Sequence, residues 1–326
     1  MICRLRNWFG VRFGHLDIVW LNVFMLSMIH VAALYGFYLK FLNVNIYTRL
    51  FAIFYCHVSG CGVTAGRHRY FSHRSFKGNR AVDILLAMMA CTTFEQSIYT
   101  WCRDHRLHHK HSETDADPYN SNRGFFFCHV GWILVRKHKD VKEKGKSIDM
   151  SDLLDNPVVM FEYKYCLQLA LIFTVLIPTL VPWYFWNESL AVTFFYGTVY
   201  RFVLILHITW SVNSFAHLYG MRNYDKHINP AENTYVSTIS MGEGFHNYHH
   251  TFPWDYKAAE LSNDFRNFTT FFIDSLAYFG MVTERKTASK QLIGKRIERT
   301  GDPGYKSSTS IVKNIFGYLL FVVLLA

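Results

Sequence analysis

The sequence predicts an all-α integral membrane protein in which four transmembrane helices carry a cytosolic helical cap, and the cap holds a histidine-rich site for two metals. Three observations lead there. The 326 residues are 51% hydrophobic and 17% aromatic yet carry a net charge of +10, a combination foreign to an ordinary soluble globule. The apolar residues are bunched into runs near the length of about 20 residues that crosses a bilayer core. Histidines gather in four clusters, each at the end of a run or in the polar segment that follows one.

Residues 18–39 and 46–65 form the first two expected spans. Residues 166–186 and 190–212 form the next two, separated only by Asn187, Glu188 and Ser189, which makes them an antiparallel pair. Four such runs are hard to bury in a soluble helical domain. Lys and Arg are absent from that short turn but crowd residues 66–164, the N-terminal stretch (Arg4, Arg6, Arg12) and the tail after Glu284. The positive-inside rule then places both termini and both long polar segments in the cytosol. The expected organisation is an N-terminal segment (1–17), spans one and two (18–65), a first cap segment (66–165), spans three and four (166–212), a second cap segment (213–306) and a tail (307–326). The first run is too long for a cleavable signal peptide and lacks an obvious cleavage site. Residues 81–99 are apolar but short, which suits a re-entrant or interfacial helix, and 315–326 are too short to span comfortably.

The seven cysteines form no CxxC pair and several sit in apolar runs, so they read as reduced, packed thiols. There is no Gly-rich nucleotide loop and no internal repeat. Beside membrane spans, the basic charge suits phosphate-bearing substrates, anionic lipid or an acidic protein better than nucleic acid.

The histidine clusters are HRYFSH (His68, His73), HRLHHKH (His105, His108, His109, with His111), NSFAH (Asn213, His217) and HNYHH (His246, His249, His250). At about 100° per residue, positions i, i+3 and i+4 share a helix face, so each HxxHH aims three imidazoles the same way. Asn213 and His217 stand one turn apart. HxxxxH turns about 140°, so His68 and His73 either serve different metals or sit where the helix ends. A lone HxxHH reads as a solvated face. Four clusters at helix ends that antiparallel spans bring together read as a common metal site. Nine imidazoles exceed the four ligands of a tetrahedral zinc and, with a polar amide, suit two metals with open positions. The lack of Cys in the clusters argues against iron–sulfur and structural zinc; zinc, copper and iron all accept nitrogen ligands, and a redox role selects iron.

The stretches GVTAGRHRYFSHRSF, DHRLHHKHSETDADPYNSNRGFFFCHVGWILVRKH, VNSFAHLYG and GEGFHNYHHTFPWDY resemble the boxes of the membrane acyl-CoA desaturases, the stearoyl-CoA (delta-9) group. The likeness runs from Trp20 to Lys306. It implies a mushroom-shaped endoplasmic-reticulum enzyme with four spans and two irons in a cytosolic cap. Such an enzyme uses dioxygen, and electrons passed from NADH through cytochrome b5 and its reductase, to remove two vicinal hydrogens from a saturated long-chain acyl-CoA. The hard chemistry belongs to the metal; the protein binds, orients and excludes side reactions.

The same resemblance implies residue roles. The metal ligands fall on His68, His73, His105, His108, His109, His217, His246, His249 and His250, with Asn213 acting through a water and His111 outside the set. Asn22, Arg103, Asp104, Arg136 and Lys137 take the CoA contacts, the cations suiting its phosphates. Gln96, Trp101, Thr209 and Trp210 line the acyl bend, and Cys56 and Gly60 stand at the tunnel end, where small residues leave room for a longer chain. Three positions depart from the family: Glu95 where Gln is common, Gln96 for Asn, and Arg67 for a small residue. A carboxylate at 95 has to be protonated, paired or turned to water. The rival readings are a histidine-box fatty acyl hydroxylase and a non-catalytic metal-binding or transport homologue. Transport sites usually lie at the bilayer midplane, whereas these histidines lie at or beyond the span ends.

Overall fold

The computed structural model describes residues 17–260 and 266–302. Arg4, Arg6, Arg12 and Cys3 of the N-terminal segment, and the 307–326 tail, lie outside the described residues. Three helices among the described residues are long and apolar enough to cross a membrane: α1 (Trp20–Leu39), and two that follow the middle of the chain, Cys166–Trp186 and Leu190–Leu218. The second sequence run begins α2 (Ile46–Cys61), which continues without a break as a π-helix over Gly62–Ser72. It does not join the other three by composition: Arg49, His57 and several Tyr, Ser and Gly residues dilute its apolar content.

Helix α1 buries only Ala33, Gly36 and Leu39 and leaves Leu21, Phe24, Leu34 and Tyr38 exposed, the surface of a helix solvated by lipid rather than water. Its one close crossing depends on Gly36, where a Cβ would lie 2.0 Å from the Phe195 carbonyl oxygen. Small residues let membrane helices approach this closely. Asn45 caps α2 by accepting from the Tyr47 N–H at 3.0 Å. Helix α3 (Arg80–Ala90), capped by Asn79, buries Val82, Leu86 and Ala87 on one face. Eleven residues are too few to cross a bilayer core, in line with the short apolar run at 81–99. Helix α4 (Ile98–His111) starts at Ser97, whose hydroxyl accepts from the Thr100 N–H at 3.2 Å.

The antiparallel pair, now α5 (Cys166–Trp186) and α6 (Leu190–Leu218), turns at Asn187 in the left-handed conformation. At that turn the Glu188 carboxylate accepts from the Asn45 N–H at 3.0 Å and the Thr48 hydroxyl at 2.7 Å. The α1–α2 and α5–α6 connections therefore meet at one end of the molecule. The opposite end carries α7 (His246–Thr251), α8 (Phe268–Tyr278) and α9 (Lys290–Thr300). An apolar core of Cys56, Leu86, Ile98, Cys102, Ile205 and Ile273 joins α2, α3, α4, α6 and α8.

The fold is not purely helical. Lys77 and Gly78 pair antiparallel with Thr283 and Val282, tying the segment after α2 to the one after α8. All six described cysteines are free, five of them buried.

Candidate metal centre

Two groups of imidazoles form, each with one ligand nitrogen per residue within 4.8 Å of the others: His68, His73, His105, His109 and His249 in the first, His108, His217, His246 and His250 in the second. The nine histidines of the sequence reading are these nine. The sequence aims the three imidazoles of each HxxHH the same way without assigning them to a metal, and the structure divides each motif between the two groups. On α4, His105 and His109 serve the first group and His108 the second; on α7, His246 and His250 serve the second and His249 the first. Positions i and i+4 stack along a helix while i+3 leans to the other side, so each motif bridges both groups.

His68 and His73 belong to one group, and His73 ends the π-helix. Of the two alternatives the sequence left open, this arrangement supports the second, in which the pair sits where the helix ends. The His73 N–H donates to the His68 carbonyl at 3.1 Å, the i→i+5 bond of a π-helix. The wider turn removes the α-helical divergence and brings the two rings to 4.9 Å between centroids.

The rings fit a metal better than they fit one another. His68 and His249 approach to 2.9 Å between Nε2 atoms, His73 and His105 to 2.8 Å, and His246 and His217 to 3.0 Å. On three of the rings the far nitrogen faces a carboxylate: His68 Nδ1 lies 2.7 Å from Glu243, His108 Nδ1 2.9 Å from Asp117, and His217 Nδ1 2.7 Å from Glu113. A ring that donates from Nδ1 turns an Nε2 lone pair inward, as metal-bound histidines do. Converging lone pairs repel unless a cation lies among them. Burial first, then neighbouring imidazoles, hold His73, His105, His109 and His249 well below the usual histidine range. Neutral imidazole is the ligating form. At His108 burial acts the same way, but the Asp117 carboxylate outweighs it and raises the proton affinity. The chemistry of this set suits two metals with nitrogen ligands.

Glu243 is itself braced. The buried Arg69 guanidinium donates to its carboxylate at 2.8 and 3.0 Å, and to the Tyr256 carbonyl and Thr270 hydroxyl at 3.0 Å each. Despite burial, Arg69 and His68 keep the Glu243 carboxyl below its ordinary range. Glu113, though mostly buried, is drawn down to about 2, chiefly by His217.

A narrow, largely apolar cavity opens beside both groups; its wall includes His68, His105, His108 and His246 together with Asn213, Trp101 and Thr209. Trp101 stacks on His105 with centroids 4.9 Å apart. Gln96 and Trp210, expected on this wall, are not there. Gln96 sits in a turn with φ +70° and an exposed side chain. Trp210 follows Thr209 by one residue, hence faces another side of α6 and packs on His129 and His207. Behind the wall, Glu95 accepts from the hydroxyl of Thr209, which is on it, at 3.0 Å. Burial raises its proton affinity against the opposing pull of Arg67, and the Thr209 hydroxyl gives this carboxyl the partner that its burial requires.

Of the expected CoA contacts, Asp104 is buried between Arg103, at 2.9 Å, and Lys137. Arg136 is exposed and stands 4.0 Å from Asp17, while Asn22 donates to the Ile133 carbonyl at 2.7 Å. Gly60 is on the cavity wall, and Cys56 is fully buried away from it. The sequence reading missed Glu113, Asp117, Glu243 and Arg69. Their signal was position: Arg69 directly follows His68, SETDAD follows HRLHHKH directly, and GEGF directly precedes HNYHH.

Paired all-histidine pockets beside an apolar cavity, in a helical chain with apolar helices long enough to cross a membrane, are the equipment of a membrane oxidoreductase acting on an apolar substrate. The fatty acid desaturase pattern matches residues 45–259. "Acyl-CoA Delta-9 desaturase" of Acheta domesticus is 53% identical over 290 residues, 89% of this chain and 81% of its own. "Stearoyl-CoA desaturase 5" of Bos taurus is 50% identical over 293 residues (90% and 87%), and "Stearoyl-CoA desaturase" of Homo sapiens 50% over 291 (89% and 80%). The chain belongs to the fatty acid desaturase family and is an enzyme of that class.

Proposed function

We propose that the protein is an acyl-CoA desaturase that introduces a cis double bond, at delta-9, into a saturated long-chain acyl-CoA. The observation that carries this reading is the apolar cavity whose wall includes ligand histidines of both groups. Two irons are the proposed metals, held by the nine histidines with Asn213 beside the second group. Iron bound there supplies dioxygen-dependent oxidation of an unactivated C–H bond, which no side-chain base could deprotonate. The reaction balances when two substrate hydrogens, two electrons and two protons reduce dioxygen to two waters.

The protein's share is placement. Trp101, rigid on His105, and Thr209, fixed by Glu95, hold the acyl chain against the histidines. Arg103, Lys137 and Arg136 take the CoA phosphates at the entrance, with Asp104 and Asn22 fixing their surroundings. Electrons come from NADH through cytochrome b5 and its reductase. The location is the endoplasmic-reticulum membrane, with four spans, a cytosolic cap and both termini cytosolic. The meeting of the 42–45 and 187–189 connections through Glu188 supports a common lumenal side. Protease digestion of sealed microsomes is expected to remove tags from both ends; a protected tag contradicts the topology. The deciding experiment is expression in a desaturase-deficient yeast with mass spectrometry of double-bond positions. Delta-9 monounsaturated products are expected, and hydroxylated products or none overturn the reading.

A further inference from the structure

The sequence leaves the far end of the acyl cavity open, since Cys56 and Gly60 are both small. The structure closes it from another element. Along α2 and its π-helical extension the cavity wall runs from His68 through Thr64 and Val63 to Gly60, about 12 Å at helical rise. Gly60 is thus the end remote from the histidines. A Cβ on Gly60 would lie 2.7 Å from both Sδ and Cε of Met241, which also lines the cavity. The missing side chain of α2 is a notch, and the Met241 thioether fills it. Cys56 packs in the same buried core without reaching the cavity.

The backbone beneath Met241 is held hard. Its φ is +60° and that of Gly242 is +115°, and the first is unfavourable for any residue with a Cβ. The Met241 carbonyl accepts from the Thr269 N–H at 3.2 Å and the Thr269 hydroxyl at 2.9 Å. A Cβ on Gly242 would meet Asn267 Oδ1 at 2.5 Å. Two residues after Met241, Glu243 holds His68 Nδ1 at 2.7 Å. One tight loop therefore fixes both the cavity's end and an imidazole of the first metal group.

We propose that Met241 is the chain-length stop of this enzyme. Its thioether ends the pocket for the methyl end of a saturated acyl chain, and its fixed spacing from the first metal group sets the longest chain accepted. The inference rests on the desaturase reading above. An unbranched thioether yields more readily than a branched or aromatic wall, so the cut-off is graded rather than sharp.

The test offers full-length enzyme in membranes, with its electron donors, a ladder of saturated acyl-CoAs. Met241→Ala is expected to favour the next even-numbered longer chain by roughly 10-fold in relative kcat/KM, the effect of two more buried methylenes. Gly60→Ala pushes the thioether into the cavity and shifts preference to shorter chains. In the Met241→Ala background the same Gly60→Ala change has little effect, because the side chain it displaces is gone. Met241→Leu, of similar volume, keeps the parent's cut-off. Parent chain-length profiles in Met241→Ala and Gly60→Ala, with bound iron retained, overturn the stop. If Met241→Ala does not hold iron, Gly60→Ala alone decides, since its added methyl meets only the far end of a flexible side chain. A parent protein that desaturates no acyl-CoA sinks the desaturase reading itself, a different result from active variants with unchanged profiles.

Discussion

The two imidazole groups are near mirror images in their ligands and unlike in their surroundings. Helix α4 gives two histidines to the first and one to the second; α7 gives one and two. The π-helical extension of α2 completes the first with His68 and His73, and α6 completes the second with His217. Around the first group, the carboxylate on His68 is Glu243, neutralised by buried Arg69. Around the second, Asp117 and Glu113 face His108 and His217, and Glu113 receives its hydrogen bonds from the backbone N–H and hydroxyl of Ser121 instead of from an arginine. The second pocket is the more negative of the two. The lesson is that equal ligand chemistry can be tuned from one layer outward.

The largest expected effect comes from removing a ligand. His249→Ala takes a first-group imidazole from a helix that also serves the second, so desaturation is lost while the protein still inserts into membranes. Product analysis and iron content check it; retained activity removes His249 from the site. Next come the outer carboxylates. Glu113→Gln is expected to lower metal affinity or activity by about 10- to 100-fold. Glu243→Gln does the same and also strands Arg69 without its charge partner, a loss of about 3–5 kcal/mol for a buried pair broken on one side. Thermal melting in detergent separates the two: equal melting temperatures for both variants remove the contrast drawn between the pockets.

The smallest effect is a pH slope. Glu232 accepts from the Tyr248 N–H of α7 at 2.8 Å, and burial raises its proton affinity to about 8. The folded protein keeps this proton while the unfolded chain releases it near the ordinary carboxyl value of 4.5. The stability it contributes is therefore complete below that value and is lost as pH rises toward about 8. Glu232→Gln should flatten melting temperature against pH across that window; an unchanged slope shows that α7 is not held by this proton.

Much of this was legible in the sequence because it is local. The α1, α5 and α6 runs, the nine histidines and the i+4 stacking of His105 with His109 all follow from spacing. What could not be read depends on geometry that spacing does not encode. A π-helix over 62–72 leaves no simple trace in GVTAGRHRYFS, yet it decides that His68 and His73 act together. Gln96 was expected on the cavity wall, but its left-handed turn leaves its side chain exposed, and Glu95 bonds to the wall residue Thr209. Gly60 read as open space because its occupant, Met241, arrives from 181 residues later in the chain.

The sharing of α4 and α7 between the two groups has a further consequence. Neither helix can settle on one ion without carrying a histidine of the other group into place. Occupancy of one pocket then pre-pays the ordering of the second, and by linkage the reverse holds equally. Loading should be cooperative: half-metallated molecules are scarce, and a chelator strips both ions in a single steep transition.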